Sequence, residues 1–382
     1  MKLTGAQIII KLLEQQGIKL VSGIPGGSIL PLYDELAKSS IRHILVRQEQ
    51  SAGFIAQGIA RSTGKPAVCM ATSGPGAMNL LTAIADARSD SIPMVAITGQ
   101  VNSALIGTDA FQEADTFGLS FPITKHSVMI KNVAELWSAI PEAFEIAASG
   151  RPGPVLIDIP RDIQTAVYES DAVPEVKNCY IYRERFLTPD AEMPGKIQSF
   201  CSVLASAEKP VLYVGGGVNS VEGAQNIAEL LAAYPMPAVS SLMGIGVVPH
   251  SAPSYLGMVG MHGSFAANKV MYESDAVLAV GAHFDDRAVG LAKGFCPDAK
   301  ILHIDIDAAE INKIYPAFSA IVGDAEKVLP LLTAEMQRRV SAGGKNAAAS
   351  AKDAAPKREK WLAAAKDLRA ERESFAVGAV KN

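Results

Sequence analysis

Apolar and polar positions in the first 168 residues repeat with two periods, one typical of helices and one typical of buried strands. Ile8, Leu12 and Leu13 recur at helical spacing after Thr4, a typical N-cap, and the apolar run at 67–71 is typical of a strand buried on both faces. Helices are predicted at 4–16, 28–37, 51–61, 76–88 and 133–149. Strands are predicted at 18–22, 43–47, 67–71, 93–98 and 154–159. This alternation indicates a parallel sheet covered by helices on both faces.

A second alternating pattern begins after residues 169–190, a segment with few periodic apolar positions that we interpret as an interdomain linker. Its strands are predicted at 210–214, 237–241, 276–280, 300–307 and 320–322. Beyond about Val340 the composition shifts to Ala, Lys and Gly, and one helix is predicted near 358–372. The predicted fold class is α/β, with two doubly wound parallel-sheet domains. The predicted divisions are a first domain at 1–168, the linker, a second domain at 191–340 and a tail at 341–382.

The composition suits a soluble globular protein and argues against several partners. Of the 382 residues 49% are hydrophobic and 19% are charged, and the formal net charge of −4 makes nucleic acid an unexpected partner. No apolar run reaches the roughly 18 residues that a membrane span needs, and the first residues resemble an amphipathic helix rather than a signal peptide. The cysteines show no CxxC pairing, which favours buried free thiols in the cytoplasm over disulfides or a metal site. They are Cys69, Cys179, Cys201 and Cys296.

Small-residue loops follow three predicted strands of the first domain: GIPGGS at 23–28, the stretch around Glu49, and ATSGPGAMN at 71–79. Because the carboxyl ends of parallel strands meet at one edge of a sheet, these loops and GTDAFQEAD at 107–115 are expected to lie side by side. Each loop alone could be ordinary turn chemistry. Together they predict a cleft with one buried carboxylate, many backbone donors and an aromatic residue. The natural use of such a carboxylate is to share a proton with a ring nitrogen.

Nine motifs, taken as an ordered set, resemble the large catalytic subunit of acetolactate synthase, a thiamine-diphosphate enzyme of branched-chain amino acid synthesis. They extend to about residue 335 and are GIPGGS, RQEQSAGFIAQG, TSGPGAMN, DAFQEAD, ITKHS, SGRPGPVLIDIPRDIQ, GMVGMHG, GAHFDDR and IDIDAAEI. The resemblance implies that Glu49 hydrogen-bonds the pyrimidine N1′ of thiamine diphosphate and so promotes loss of the thiazolium C2 proton. The implied reaction decarboxylates pyruvate and joins the hydroxyethyl group to a second 2-keto acid, pyruvate or 2-ketobutyrate.

The same resemblance assigns the first domain to the pyrimidine half of the cofactor. Gly26 and Gly27 are expected to allow close approach near the thiazolium C2. Pro75 and Asn79 are expected to contact the pyrimidine. The hard chemistry in such an enzyme belongs to the cofactor, and the protein places it.

Further residues of the first domain are implied at the reacting centre. Phe111 and Gln112 are expected to line it. Arg161 stands where many relatives have Lys, and a cation there could guide the substrate carboxylate, although a guanidinium differs in shape from an ammonium. Lys125 and His126, in ITKHS, could take a direct part in the chemistry, but a place on a helix or loop surface is the favoured interpretation.

The second domain carries GGGVNS at 215–220 directly after a predicted strand, which alone is a weak dinucleotide signal. Resemblance to the flavin-using members of the family implies that this middle domain binds FAD, in a largely structural role. His283 stands where Arg is usual, and Asp324 could instead cap a helix. The residues implied as FAD contacts are Arg151 from the first domain and Gly215, Gly216, Met261, His262, Gly263, Gly281, Asp285, Arg287, Asp305 and Asp324 from the second.

The motif that holds the diphosphate is not found in this sequence. Thiamine enzymes bind Mg²⁺ through a GDG motif followed later by an Asn, usually in a third α/β domain, and oxygen-rich ligation suits that ion. Only GDA at 323–325 comes near. We therefore expect the third domain and the metal ligands to be absent from this chain, and the chain alone to be inactive.

The resemblance also implies partners: 2-keto acid substrates, further copies of the chain in a dimer or tetramer, and a small regulatory subunit. Two alternatives stay open. A glyoxylate carboligase-like enzyme has the same architecture, but that family lacks the glutamate found here at position 49. A non-catalytic flavin-binding or subunit-interaction protein is favoured, for the isolated chain, by the missing metal motif.

Overall fold

A computed structural model of the protein describes residues 2–170, 192–290, 294–341 and 349–380. The chain divides into two compact units, Met1–Arg185 and Phe186–Asn382. Almost all of the predicted linker lies outside the described residues, as does Cys179. Each unit has its own sheet and its own hydrophobic core.

A six-stranded parallel sheet forms the centre of the first unit. The strands of this unit are β1 (Lys2–Thr4), β2 (Leu20–Gly23), β3 (Arg42–Leu45), β4 (Ala67–Ala71), β5 (Met94–Gln100), β6 (His126–Met129), β7 (Pro154–Pro160) and β8 (Val167–Glu169). The sheet has the order β3-β2-β4-β5-β7-β6, and every neighbouring pair is parallel. β1 pairs antiparallel with β8, which joins the two ends of the unit.

Helices cover both faces of this sheet. They are α1 (Gly5–Gln15), α2 (Leu30–Leu36), α3 (Glu49–Thr63), α4 (Pro75–Ser89), α5 (Thr116–Ser120), α6 (Leu136–Ala148) and α7 (Arg161–Thr165). Val68 and Met70 of β4 belong to the core cluster that contains α1, α2 and α6, whereas Cys69 and Ala71 belong to the cluster under α3 and α4. Alternate residues of one strand thus face opposite helix layers, and each large buried aliphatic side chain contributes about 1.5–3 kcal/mol.

The second unit repeats this architecture. Its strands are β9 (Pro210–Val214), β10 (Ala238–Ser240), β11 (Tyr255–Met258), β12 (Ala276–Val280), β13 (Lys300–Asp305) and β14 (Ser319–Val322), in the parallel order β11-β10-β9-β12-β13-β14. Its helices are α8 (Met193–Ser206), α9 (Val221–Ala233), α10 (Phe265–Glu273), α11 (Asp286–Val289), α12 (Ala325–Ser341) and α13 (Ala349–Val380). The predicted class, two α/β units with parallel sheets, is confirmed.

Long periodic elements were predicted well and short edge elements were missed. β4, β9 and β12 have the predicted bounds, and α1 begins after a capping box in which Gln7 N–H donates to Thr4 Oγ1 at 3.3 Å. The predicted helix at 133–149 begins at Leu136, because 133–135 forms a 3₁₀ turn. β1, β6, β8, β11, α5 and α7 were not predicted; each has three to five residues, too few to show a period.

The C-terminal helix α13 packs on the second unit. It extends well beyond the predicted 358–372, and Trp361 and Ala365 are buried in a core cluster together with Val211 of β9. The Trp361 indole N–H donates to the carbonyl of Pro210 at 3.2 Å. An Arg369 guanidinium N–H donates to the carbonyl of Tyr255 at 2.5 Å. Pro210 and Tyr255 begin their strands, so α13 lies across the amino edge of the sheet.

We predict that Trp361→Ala destabilises the second unit by about 3 kcal/mol, because it removes a buried aromatic ring and leaves a cavity. Urea unfolding followed by far-ultraviolet circular dichroism measures the change. Lys366→Ala, on the exposed side of the same helix, is the control and should lie within about 0.5 kcal/mol of the parent protein. Equal stability of the two variants would show that α13 is not part of the core.

Candidate active site

Glu49 begins α3 at the carboxyl edge of the first sheet, and its carboxylate lies against α4. Its Oε2 accepts a hydrogen bond from Asn79 Nδ2 at 2.9 Å. Its Oε1 lies 3.4 Å from where a Cβ atom at Gly76 would be, and because residue 76 is glycine no side chain from there lies against this oxygen. The expected burial of Glu49 is wrong, since the residue is half-buried. Small residues line the cleft without covering it: a Cβ at Gly27 would meet no atom within 4 Å.

Thr72, in the ATSGPGAMN loop, contacts the GIPGGS loop. A Cβ atom at Gly26 would lie 2.6 Å from the Thr72 side chain, and one at Gly76 would lie 2.8 Å from its methyl group. Ser28 N–H donates to Thr72 Oγ1 at 3.3 Å, and the hydroxyls of Ser28 and Ser73 are 2.8 Å apart. The GIPGGS loop is thus held directly on the loop that precedes α4. Sequence reasoning included the ATSGPGAMN loop but did not single out its threonine.

Tyr33, on α2, is a second residue that sequence reasoning missed. Burial raises the pKa of its hydroxyl, and the nearby Cys69 and Glu49 raise it further. The hydroxyl is buried and has no hydrogen-bond partner among the described residues. Its ring meets that of His43 edge to face, with centroids 5.0 Å apart. Buried polar groups are nearly always paired, so an unpaired hydroxyl near Glu49 suits a site that receives a polar ligand. The sequence feature that could have pointed to Tyr33 is its place as an aromatic residue in the helix that follows GIPGGS.

The loop at 107–115 lies against the same group of loops. A Cβ atom at Gly74 would be 2.6 Å from the carbonyl oxygen of Gln112, and Gly74 itself has φ +58°. Only glycine tolerates both conditions. The Phe111 side chain is 88% exposed at the surface of this loop. The structure therefore brings Gln112, Pro75, Asn79 and Glu49 to one edge of the sheet.

A buried carboxylate, Asp158 of β7, lies below this loop. Thr98 Oγ1 donates to its Oδ1 at 2.7 Å, and Gln100 Nε2 donates to its Oδ2 at 2.9 Å. Gln100 Nε2 also donates to the carbonyl of Ala114 at 2.9 Å. Burial raises the pKa of Asp158 from 3.8 to about 7, and the charge of Asp115 adds to the rise although the two hydrogen bonds oppose it. The sequence feature that could have revealed this buried carboxyl is an Asp inside the otherwise apolar strand PVLIDIP.

The basic residues that were singled out in this unit lie in different places. Arg161 is exposed and begins α7, directly after the carboxyl end of β7. Arg151 Nε donates to Ser91 Oγ at 2.8 Å. Lys125 Nζ donates to the carbonyls of Ile146 and Ser149, the latter at 2.6 Å, at the end of α6.

Lys125 therefore has a structural role. Its backbone N–H donates to the carbonyl of Pro154, which begins β7, so Lys125 lies at the amino edge of the sheet, opposite Glu49. Burial, together with the nearby charge of Arg88, lowers its pKa to about 8. Cations at a helix C-terminus are stabilising. The structure thus favours this structural role for Lys125 over a direct part in the chemistry.

In the second unit, the loops at Gly215 and Gly281, both named as FAD contacts, come together at the carboxyl edge of the sheet. Gly217 N–H donates to the carbonyl of Gly281 at 3.0 Å, which places the GGGVNS loop directly on the end of β12. A Cβ atom at Gly216 would lie 3.0 Å from Met243. Met261 N–H donates to the carbonyl of Arg287 at 3.0 Å. His262 and Gly263 follow on the same loop, and His262 is exposed.

The acidic residues of this edge are engaged with the backbone. Asp285 Oδ1 accepts from the N–H of Arg287 at 2.9 Å and caps α11. Asp324 Oδ1 accepts from Glu326 N–H at 2.9 Å, so the helix-cap alternative holds for Asp324. Asp305 is 5% exposed and its Oδ1 accepts from Asp307 N–H at 2.8 Å. Each carboxylate retains a second oxygen, and their roles toward FAD stay predictions.

Three further observations concern metals, membranes and thiols. Among the described residues no group of three His, Cys, Asp or Glu side chains is placed to hold a metal ion. No helix in the described part of the chain is long and apolar enough to cross a membrane. Cys69, Cys201 and Cys296 are buried free thiols, as expected, and burial raises the pKa of each to about 12.

Two protein-family models match this chain, one in each unit. Residues 3–119 match the thiamine pyrophosphate enzyme, N-terminal TPP binding domain, and residues 197–332 match the thiamine pyrophosphate enzyme, central domain. The chain belongs to the thiamine pyrophosphate enzymes. The first match contains Glu49 and the glycine loops around it, and the second contains the GGGVNS loop and Arg287.

Three similar proteins of known name are all acetolactate synthase large subunits. The acetolactate synthase isozyme 1 large subunit of Escherichia coli K12 is 52% identical over 332 residues, which are 87% of this chain and 58% of that protein. The isozyme 2 large subunit of the same organism is 49% identical over 333 residues, 86% and 59% of the two chains. The large subunit of Corynebacterium glutamicum is 48% identical over 332 residues, 87% and 52%. The resemblance named above is confirmed, and this chain spans just over half the length of these relatives.

We predict that Asp158 makes the first unit less stable as the pH rises from about 4 to about 7. The folded state keeps the proton up to its raised pKa of about 7, whereas the unfolded chain loses it near 3.8. The maximal slope is about 1.4 kcal/mol per pH unit. Asp158→Asn cannot titrate and should lack this slope.

The measurement is urea unfolding at pH 5, 6, 7 and 8, followed by the fluorescence of Trp137, with Trp361→Phe in both proteins so that only the first unit reports. The difference in unfolding free energy between the two proteins should change between pH 5 and 7 and stay constant above. A difference independent of pH would show that Asp158 is ionised throughout.

Proposed function

We propose that this chain supplies the pyrimidine-binding and flavin-binding parts of an acetolactate synthase large subunit. One observation carries the proposal: a glutamate at the carboxyl edge of a parallel sheet has one oxygen held by Asn79 and the other beside a glycine that leaves space open. That arrangement suits a heterocycle with a ring nitrogen to be protonated. Sequence identity near 50% with acetolactate synthase large subunits supports the choice of reaction.

Thiamine diphosphate fits the residues present. When bound, its thiazolium would accept the electron pair released as pyruvate loses carbon dioxide. Glu49 would hold a proton at the pyrimidine N1′, and the hydrogen bond from Asn79 would orient the carboxylate for that contact. Gly26 and Gly76 keep side chains out of the space beside Thr72. Arg161, exposed at the same edge, would attract the carboxylate of the keto acid.

FAD is the cofactor that we propose for the second unit. The loops at Gly215 and Gly281 approach each other as backbone alone, so no side chain separates the ends of β9 and β12 where the cofactor would lie. Arg287 is exposed beside Met261, with Nη1 at 3.9 Å from Met261 Sδ, and its planar guanidinium suits a phosphate or a ring system. Asp305, at the end of β13, is placed as a ribose contact would be.

Several features of a working enzyme would come from other polypeptide segments. The sequence contains no GDG motif, so we propose that Mg²⁺ and the diphosphate are bound by a segment outside it, and that this chain by itself does not make acetolactate. We also propose assembly with further copies of the chain, and with a small regulatory subunit, in the cytoplasm. The missing metal motif keeps a non-catalytic flavin-binding role as the second candidate.

Glu49→Gln tests the central assignment. The chain is mixed with the remaining C-terminal part of the Escherichia coli isozyme 1 large subunit, thiamine diphosphate, Mg²⁺, FAD and pyruvate. Acetolactate should form only with both polypeptides, and Glu49→Gln should lower kcat by at least about 10²-fold, as expected for loss of a proton-transfer group. Glu222→Gln, at an exposed position of α9, is the control. A Glu49→Gln protein with most of the parent activity would refute the role of Glu49.

Titration of the purified chain with FAD and NAD tests the flavin assignment. We expect FAD to bind at micromolar concentration with a change in its visible spectrum, and NAD not to bind. Gly281→Ala should weaken FAD binding at least tenfold, because φ is +53° there and a Cβ atom would lie 2.7 Å from Gly217 Cα. Gly246→Ala is the control: φ is +100°, but a Cβ atom there would meet nothing within 4 Å. No flavin binding by the folded parent chain would contradict the assignment.

A further inference from the structure

The carboxylate of Glu113 lies inside the loop that it belongs to. Backbone N–H groups of Gly107 and Ala110 donate to its two oxygens, the latter at 2.9 Å. These amides, and more weakly the two amides between them, lower the pKa of Glu113, so it is ionised at neutral pH. Four amides around one anion form a compact loop with Glu113 at its centre.

Two residues of this loop have a backbone that L-residues rarely adopt. Asp109 has φ +60° and Gln112 has φ +59°. Such positions persist only where neighbouring contacts hold them, and they occur preferentially at functional sites. On the amino side of Gln112 the Glu113 carboxylate bonds the amides of Gly107 and Ala110, and Thr108 donates to the carbonyl of Leu105.

The other end of the loop is fixed independently of Glu113. Gln100, itself bonded to the buried Asp158, donates to the carbonyl of Ala114. Asp115 Oδ1 accepts from Gly118 N–H at 2.9 Å and caps α5. A change at Glu113 should therefore loosen residues 107–112 without unfolding the rest.

The loop reaches the cleft through Gly74. The backbone of Gln112 packs where a side chain at Gly74 would be, and the next residue, Pro75, begins the helix whose Asn79 donates to Glu49. Gln112 is thus linked to Glu49 through its contact with Gly74, the first turn of α4, and the hydrogen bond from Asn79.

We propose that Glu113 is a positioning residue, which holds Phe111 and Gln112 at the cleft of Glu49. Both of its oxygens accept backbone hydrogen bonds, so it acts through the loop and not on the substrate. The inference rests on the proposed function, because it takes this cleft to be the place where keto acids react. A glutamine at this position has one acceptor oxygen, and its NH₂ group would face amide donors.

The experiment compares Glu113→Gln with Glu222→Gln in three measurements, of which the melting temperature is the first. Hydrogen–deuterium exchange of the full chain reports the protection of the amides at 107–112. Acetolactate formation by the chain mixed with the C-terminal part of the Escherichia coli isozyme 1 large subunit gives kcat and the KM for pyruvate. We expect Glu113→Gln to keep the parent melting temperature, to lose at least tenfold in protection at 107–112, and to raise KM or lower kcat at least tenfold. Glu222→Gln should match the parent in all three.

Three outcomes would overturn the inference. Unchanged protection in Glu113→Gln would show that the carboxylate does not hold the loop. Lost protection with kcat and KM within twofold of the parent would show that the loop does not position reacting groups. A parent mixture that folds, keeps the loop protected and makes no acetolactate would refute the proposed function, and the inference with it.

Discussion

Close approach of backbone at the carboxyl edge of a parallel sheet is the constraint on which the rest of this structure depends. Gly26 and Gly76 both contact Thr72, and Gly74 lies against the backbone of Gln112. A methyl group at Gly26 or Gly74 would push apart loops that follow different strands, and one at Gly76 would meet the Thr72 side chain. With the loops packed this closely, Glu49 has Asn79 as the partner of one oxygen and Gly76 beside the other. The second unit also has a close approach between backbone segments, since Gly281 lies against the GGGVNS loop.

Buried hydrogen bonds beneath the loops fix the position of the 107–115 loop relative to the strands. Asp158 is fully buried in β7 and is hydrogen-bonded by Thr98 and Gln100, and Gln100 in turn holds the carbonyl of Ala114. A buried carboxyl is costly unless it is paired, and its raised pKa is the sign of that cost. Rigid strands thus set the position of the loop that carries Phe111. Glu113 completes the arrangement from within the loop.

Much of the fold and of the edge that forms the site could be predicted from the sequence, because both follow from periodicity and from the rule for parallel sheets. Pattern reasoning placed β4, β9 and β12 without error and grouped the loops correctly. It could not place β6 or β11, since four residues show no period, nor the docking of α13, which depends on a distant pairing between Trp361 and β9. It took Glu49 as buried because apolar neighbours in sequence do not reveal that glycines leave a cleft open.

A crystal structure of the chain soaked with thiamine diphosphate tests the central claim most directly. We expect the pyrimidine ring to lie against Gly76, with one ring nitrogen within hydrogen-bond distance, about 2.6–3.2 Å, of Glu49 Oε1. Asn79 should still donate to Oε2. Density for the pyrimidine at another place, with Glu49 contacting only Asn79 and solvent, would contradict it.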